Sequence, residues 1–237
     1  EDIPAAPWRH RPVTRILGDV PMIKIALPKG DTQDAVKAFL TSRGLVFEGY
    51  DKEARAYAAS ASGSQAVFSK QFREKDIPIQ VSISNYDLGL CASQWVEEYL
   101  SLYPEAEILK ISALDISDGN LCVLCAAGEP GNCPEATLKA IAARGPVRIA
   151  TQFPGLAENY ALSRKIPNFR VFPLWGAAEA YPPEGADLAI MTVNDSGFPA
   201  LNGLRIIENL FCGQTLLIAN ARMFREKDLS PILGSLA

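Results

Sequence analysis

At 237 residues the chain can build one large domain or two smaller lobes around a real core, and 48% hydrophobic against 21% charged residues is an ordinary globular balance. The net charge of −4 argues against a broad nucleic-acid surface, yet a few Lys, Arg and backbone N–H groups can still make a local cleft for small anions. No apolar run approaches the roughly 20 residues that a membrane span requires.

Residues 1–21 are rich in Pro and Arg, show neither helical nor strand period, and are expected to form an extended arm. The single histidine, His10, lies in that arm, which argues against a Ser-His-Asp mechanism or a multi-histidine metal site. Folding is expected to start at Met22, with a strand over 22–27, a turn at Pro28-Lys29-Gly30 and an amphipathic helix from Thr32 through Leu40. Residues 56–70 alternate weakly as strands around Ser62-Gly63, and Asp76-Ile77-Pro78 opens a helix. The pattern then predicts strands over 86–91, 120–127, 147–151, 169–174, 188–193 and 215–219. Helices are expected over 95–103, 135–144 and 154–165, with a helical turn over 203–210 and a short last helix from Ser230. Strands alternating with helices predict parallel sheets covered on both faces, and the break at Ser117-Asp118-Gly119 is a candidate crossing between lobes.

The five cysteines are irregularly spaced. Cys122-Val-Leu-Cys125 has the spacing of a metal or redox pair, but no second such pair and no nearby histidine completes a tetrahedral set. The preferred reading is a buried strand in which residues three apart point to opposite faces, with no bound metal. Reduced thiols and no secretory signal then predict a cytoplasmic protein.

Five segments taken together carry a family signal. Met22-Ile-Lys-Ile-Ala-Leu-Pro-Lys-Gly30, Asp76-Ile-Pro78 with Tyr86-Asp-Leu-Gly-Leu90, and Val147-Arg-Ile-Ala-Thr-Gln-Phe-Pro154 are the first three. Gly176-Ala-Ala-Glu-Ala-Tyr-Pro182 with Ala186-Asp187, then Asn202-Gly203-Leu204, complete the series. In this order they resemble the ATP phosphoribosyltransferases of histidine biosynthesis, in the short form that lacks a C-terminal regulatory domain. The resemblance implies an α/β fold of two lobes with a cleft between them, like a type II periplasmic binding protein. It places lobe 1 at 22–112 plus 204–237, and lobe 2, with the phosphoribosyl-binding loop, at 113–203.

The activity implied is transfer of phosphoribose from phosphoribosyl pyrophosphate to N1 of ATP, or to a related aromatic acceptor. Such a displacement passes through an oxocarbenium-like state, so the protein mainly positions two polyanions and stabilises the leaving charge. Mg2+ would be carried by the pyrophosphate, since hard cations prefer oxygen ligands. Implied partners are a histidyl-tRNA-synthetase-like regulatory subunit and further copies of the chain, with no nucleic acid and no membrane. Asp195-Ser196-Gly197, after an apolar strand, sits where the family grips the phosphosugar; a plain turn is the other reading of those residues. Lys29 and Gly30 at a strand-to-helix turn could meet a phosphate, and Lys70, Arg73 and Lys75 a triphosphate, although such a basic cluster is also an ordinary solvated surface. Glu179 could contact a ribose hydroxyl or a metal-bound water.

The departures from the family pattern fall at ligand positions. Asp31 replaces an arginine, reversing charge where an anion is expected, and Ala92-Ser93-Gln94 replaces Gly-x-Asp. Ala177 stands for a serine, Phe198-Pro199 for polar loop positions, and Met191 near an expected aspartate. The sequence therefore keeps open a non-catalytic relative that binds a nucleotide or phosphosugar and acts as a regulatory or ligand-binding subunit. A plain solute-binding protein is a third reading, which the missing signal peptide counts against.

Overall fold

The computed structural model describes residues 22–51, 58–60, 67–195 and 197–236. The expectations for the arm at 1–21, for the turn at Ser62-Gly63 and for Ser196 lie outside the described residues. The elements run β1 (Ile23–Lys29), α1 (Gln33–Ser42), β2 (Ala58–Ser60), β3 (Val67–Arg73), a 3-10 turn (Glu74–Asp76), α2 (Ile77–Ser82), β4 (Leu88–Ala92) and α3 (Ser93–Leu102). They continue with β5 (Ile108–Ala126), α4 (Pro134–Ala142), β6 (Val147–Thr151), α5 (Pro154–Ser163), β7 (Phe169–Pro173), a second 3-10 turn (Ala178–Ala180) and β8 (Leu188–Val193). The last are α6 (Phe198–Leu201), β9 (Leu204–Asn220), α7 (Ala221–Glu226) and α8 (Ser230–Leu236).

Among the described residues nine strands hydrogen-bond in the order β2-β3-β1-β4-β9-β5-β8-β6-β7. β1 pairs in parallel with β3 and β4, and β6 with β7 and β8, as alternating strands and helices predict. The expectation of purely parallel sheets does not hold: β4 and β5 both run antiparallel to β9, and β5 antiparallel to β8. β5 and β9 are 19 and 17 residues long and pair with each other through both halves of the molecule. Between Ala113 and Asn120 their register slips twice, which bends the ladder at a waist between the two halves.

β9 also replaces the helical turn expected over 203–210. Leu204, Ile207 and Leu210 recur at helical spacing, but Leu204 through Asn209 pair with β5 and the bulges there spoil strict alternation. The first half of β5 was missed as a strand for a related reason: Lys110, Asp115, Asp118 and Gly119 interrupt its apolar residues.

Both faces of each half are covered. In the first half Ile25, Leu27, Leu88 and Leu90 pack under α1 on one face, and Ala26, Cys91 and Ile218 pack with Ile77 and Val81 of α2 on the other. Gly89 permits this, because a Cβ there would lie 2.8 Å from Ile77 Cγ2 and 2.9 Å from Val81 Cγ2. In the second half Leu121, Val123, Cys125 and Ile149 form one cluster and Cys122, Leu124 and Met191 another. Cys122 and Cys125 thus belong to opposite faces of β5, as buried-strand geometry predicts, and burial pushes the Cys122 thiol up to about 11.

The two halves repeat one anchoring device. Asp87, just before β4, accepts a 2.8 Å hydrogen bond from Lys24 N of β1 and two more from Lys227 Nζ, at 2.7 and 3.0 Å. Asp187, just before β8, accepts one of 2.8 Å from Arg148 N of β6 and is gripped by the Arg148 guanidinium. Burial alone would raise the Asp187 carboxyl, but Arg148 holds it below the usual carboxylate range. Each carboxylate fixes the register of a parallel pair whose C-terminal ends point into the space between the halves.

Candidate functional site

In open α/β sheets the crevice beyond the carboxyl ends of the strands is the usual ligand position. Here those ends converge from both halves. β1 delivers Lys29, Gly30 and Asp31, β3 delivers Arg73 and Glu74, and β4 leads into Gln94 and Trp95. From the second half, β6 leads into Gln152 and Phe153, β7 into Leu174 and Trp175, and β8 into Asn194. The waist supplies Ile116, Ser117 and Asp118. These residues line two adjoining cavities of about 400 Å³ each, which share Asp31, Glu74, Trp95 and Gln152.

The outer chamber is cationic and aromatic. Lys29, Arg73 and Lys75 line it with Trp95 and Trp175, and the Lys75 ammonium sits 4.0 Å from the centroid of the Trp175 ring. Trp175 is 89% exposed, an unusual state for an indole outside an interface or a binding cleft. Gly30 holds φ +127, a backbone state that favours glycine, and lets β1 turn into α1 at the chamber wall.

The inner chamber has the opposite character. Its charged lining residues are Asp31, Glu74 and Asp118, all acidic. Thr32 donates its hydroxyl proton to Glu74 Oε1. Burial pushes the Glu74 carboxyl up from 4.5 to about 7; the Thr32 hydrogen bond pulls it back, and Asp118 and Asp31 push it further. Asp118 is 8% exposed; its Oδ2 accepts from Thr215 Oγ1 at 2.8 Å, while Oδ1 has no hydrogen-bond partner among the described residues. Burial raises the Asp118 carboxyl as well, against the Thr215 hydrogen bond. Trp95 and Phe153 form the apolar wall, with ring centroids 4.5 Å apart.

α3 and α5 join the halves behind this chamber. Buried Glu98 of α3 accepts hydrogen bonds from Gly155 N and Leu156 N, both at 2.9 Å, at the first turn of α5. Gln94 donates to the Asp118 carbonyl at 2.8 Å and Ser93 Oγ accepts from Gln214 N, so the start of α3 is fastened to the waist.

Of the residues singled out in the sequence, Lys29, Gly30 and Arg73 come together on the outer chamber, with Lys75 beside them. Lys70 parts from that group: it is exposed on β3 with its ammonium 5.6 Å from the Phe72 ring centroid. Asp195 and Gly197 form an exposed turn after β8, in which Asp195 Oδ1 accepts from Gly197 N at 2.8 Å. Glu179 lies half-buried on the second 3-10 turn and lines neither chamber. Glu74, Trp95, Asp118, Gln152 and Trp175 were not singled out as site residues. Their common signal is position, since all but Asp118 lie within a few residues of a strand's carboxyl end.

Among the described residues no helix is long and apolar enough to cross a membrane. The family model described as "HisG: ATP phosphoribosyltransferase" matches residues 73–237. Proteins named ATP phosphoribosyltransferase are similar to the chain. One from Chlorobium luteolum is 27% identical over 207 residues, covering 86% of this chain and 66% of that protein. One from a Thermotoga species is 27% identical over 208 residues, covering 87% and 88%. The chain spans just under two thirds of the length of the Chlorobium relative. Among solved structures, the ATP phosphoribosyl transferase (HisG:HisZ) complex from Thermotoga maritima superposes with a TM-score of 0.71 at 23% identity, covering 91% of this chain and 96% of that one. The periplasmic aliphatic sulphonate-binding protein SsuA from Escherichia coli superposes at 0.53 with 16% identity, covering 92% and 67%. These superpositions give the fold as the two-lobed, type II periplasmic-binding-protein-like architecture, and with the match over residues 73–237 the chain belongs to the HisG family of ATP phosphoribosyltransferases.

Proposed function

We propose that the chain is the catalytic core of a phosphoribosyltransferase of the ATP phosphoribosyltransferase type. In this reading it moves phosphoribose from phosphoribosyl pyrophosphate to a ring nitrogen, N1 of ATP or that of a related aromatic acceptor. The observation that carries the proposal is the outer chamber: three cations and an exposed indole at the carboxyl ends of parallel strands, in a chain of this family. Lys29, Arg73 and Lys75 would hold anionic groups and Trp175 would stack a flat ring. The turn Asp195-Ser196-Gly197 would grip the 5-phosphate through backbone N–H groups, and Glu179 a ribose hydroxyl. Magnesium would enter with the pyrophosphate as part of the substrate.

The lobe assignment, 22–112 plus 204–237 and 113–203, belongs to the same proposal. The hydrophobic clusters support a division into two lobes but shift its bounds, since Leu114 and Ile116 pack with the first half and Leu204 through Phe211 with the second. A histidyl-tRNA-synthetase-like partner is proposed because the Thermotoga maritima relative is a HisG:HisZ complex. Assembly into a homo-oligomer is part of the same reading. A reducing, cytoplasmic setting is proposed from the five free cysteines.

The three carboxyl groups of the inner chamber favour a second reading, a non-catalytic relative that binds a nucleotide or phosphosugar. Pyrophosphate release from phosphoribosyl pyrophosphate, magnesium and ATP, assayed with and without a histidyl-tRNA-synthetase-like subunit, separates the two. Release that disappears in Arg73→Ala supports transfer. No release in either mixture, with calorimetric binding of either ligand, leaves the binder.

A further inference from the structure

We propose that the inner chamber is a binding site for a flat protonated nitrogen group, of the amidinium class, held by Glu74 and Asp118 beside the rings of Trp95 and Phe153. The inference goes beyond ribosyl transfer and does not depend on it.

Three observations converge. Every charged residue lining the chamber among the described residues is acidic, so a phosphate placed there meets repulsion from Asp31, Glu74 and Asp118 together. Asp118 Oδ1 is buried without a partner among the described residues, a state that costs free energy until a donor arrives. The Trp95 and Phe153 rings add faces that attract a delocalised cation.

The surroundings of Glu74 explain its readiness to pair. The loop after β1 faces it with Asp31 and Thr32, β5 with Asp118, and β4 with the Cys91 thiol, which donates to the Glu74 carbonyl at 3.3 Å. Asp34 and the phenol of Tyr50 share its electrostatic neighbourhood, and burial followed by the Glu74 and Asp34 charges pushes that phenol far up. The acids of α3 point elsewhere, Glu97 to Lys110 and Glu98 to the α5 amides. Arg73 and Lys75, the neighbours of Glu74 in sequence, line the outer chamber. A ligand cation would be a positive partner for the inner carboxyl groups.

Titration calorimetry of the full chain with benzamidine, benzamide and benzoate tests this. Benzamidine is expected to bind at pH 8, benzamide at least tenfold more weakly, and benzoate not measurably. With a Glu74 carboxyl near 7, benzamidine affinity should fall about tenfold from pH 8 to pH 6 as the carboxylate takes a proton. Glu74→Gln should weaken binding at pH 8 at least tenfold and flatten the pH dependence. Asp118→Asn, which keeps an oxygen for Thr215, should weaken it severalfold and carries the test if the first variant does not fold. No benzamidine binding, equal affinity for benzamide or benzoate, or affinity unchanged in both variants overturns the proposal. Pyrophosphate release is a separate readout: its absence leaves benzamidine binding intact if only the transfer reading is wrong.

Discussion

Glu74→Gln is expected to stabilise the fold above neutral pH and to leave it unchanged in acid. The folded state raises the Glu74 carboxyl from 4.5 to about 7, so the folded protein holds a proton there that the unfolded chain gives up. A carboxyl raised in this way contributes its full stability below about 4.5, and the contribution is lost as pH rises through about 7. At about 1.4 kcal/mol per pH unit, a rise of about 2.5 units corresponds to about 3 kcal/mol. Glu74 retains some solvent contact, which screens the charge and reduces the expected gain of the glutamine variant to about 1–2 kcal/mol. For a protein of this size that is a rise in Tm of about 2–8 °C. Glutamine keeps an oxygen for the Thr32 hydroxyl, so charge is the main change. Urea unfolding of both proteins from pH 4.5 to 8.5 reads the difference directly, because other titrating groups cancel. Equal midpoints at pH 8.5, or a variant less stable there than the parent, would refute the reasoning.

Two further substitutions probe joints between elements. Glu98→Ala removes both acceptors of the α5 amides and should cost about 3 kcal/mol in thermal or urea unfolding, with Glu98→Gln intermediate; a loss below about 1 kcal/mol would mean that water replaces the carboxylate freely. Asn220, fully buried, donates to Val81 O and Ser82 O at 2.9 and 3.1 Å and accepts from Arg222 N and Met223 N, so it closes α2 and opens α7 at once. Asn220→Ala should cost about 2–4 kcal/mol by urea unfolding, and Asn220→Asp should not rescue it, since a carboxylate would face two carbonyls.

What the sequence could and could not disclose follows from range. β1, β6 and β8 are short apolar runs bounded by turn residues, and each was legible because neighbours in sequence decide it. β5 and β9 were legible only in their apolar halves, because pairing with each other, rather than local pattern, extends them through the waist. Lys29, Gly30 and Arg73 were visible as cationic or turn residues in family segments, and the structure gathers them on one wall. Glu74 is not legible as a site residue, because in the sequence a glutamate beside Arg73 and Lys75 looks like surface. Its unusual proton affinity arises from burial and from Asp31 and Asp118, brought close only by the fold. In the sequence Asp118 reads as part of a break in the chain; that its Oδ1 has no partner among the described residues is a property of the folded waist.

The position of β9 in the sheet carries a consequence for synthesis. β5, β8, β6 and β7 are mutual neighbours, so a nascent chain that has reached residue 193 already contains a contiguous four-stranded sheet in the second half. The first half likewise has β2, β3, β1 and β4 in contiguous order, but β9 lies between β4 and β5, and its residues 215–219, which complete the β4 ladder, follow those at 204–211 that pair with the second half of β5. The order of emergence from a ribosome is therefore reversed in the order of completion: the half begun first is finished last. Until then Leu88 and Leu90 wait with one strand edge bare, an interval in which a translating cell would need a chaperone most.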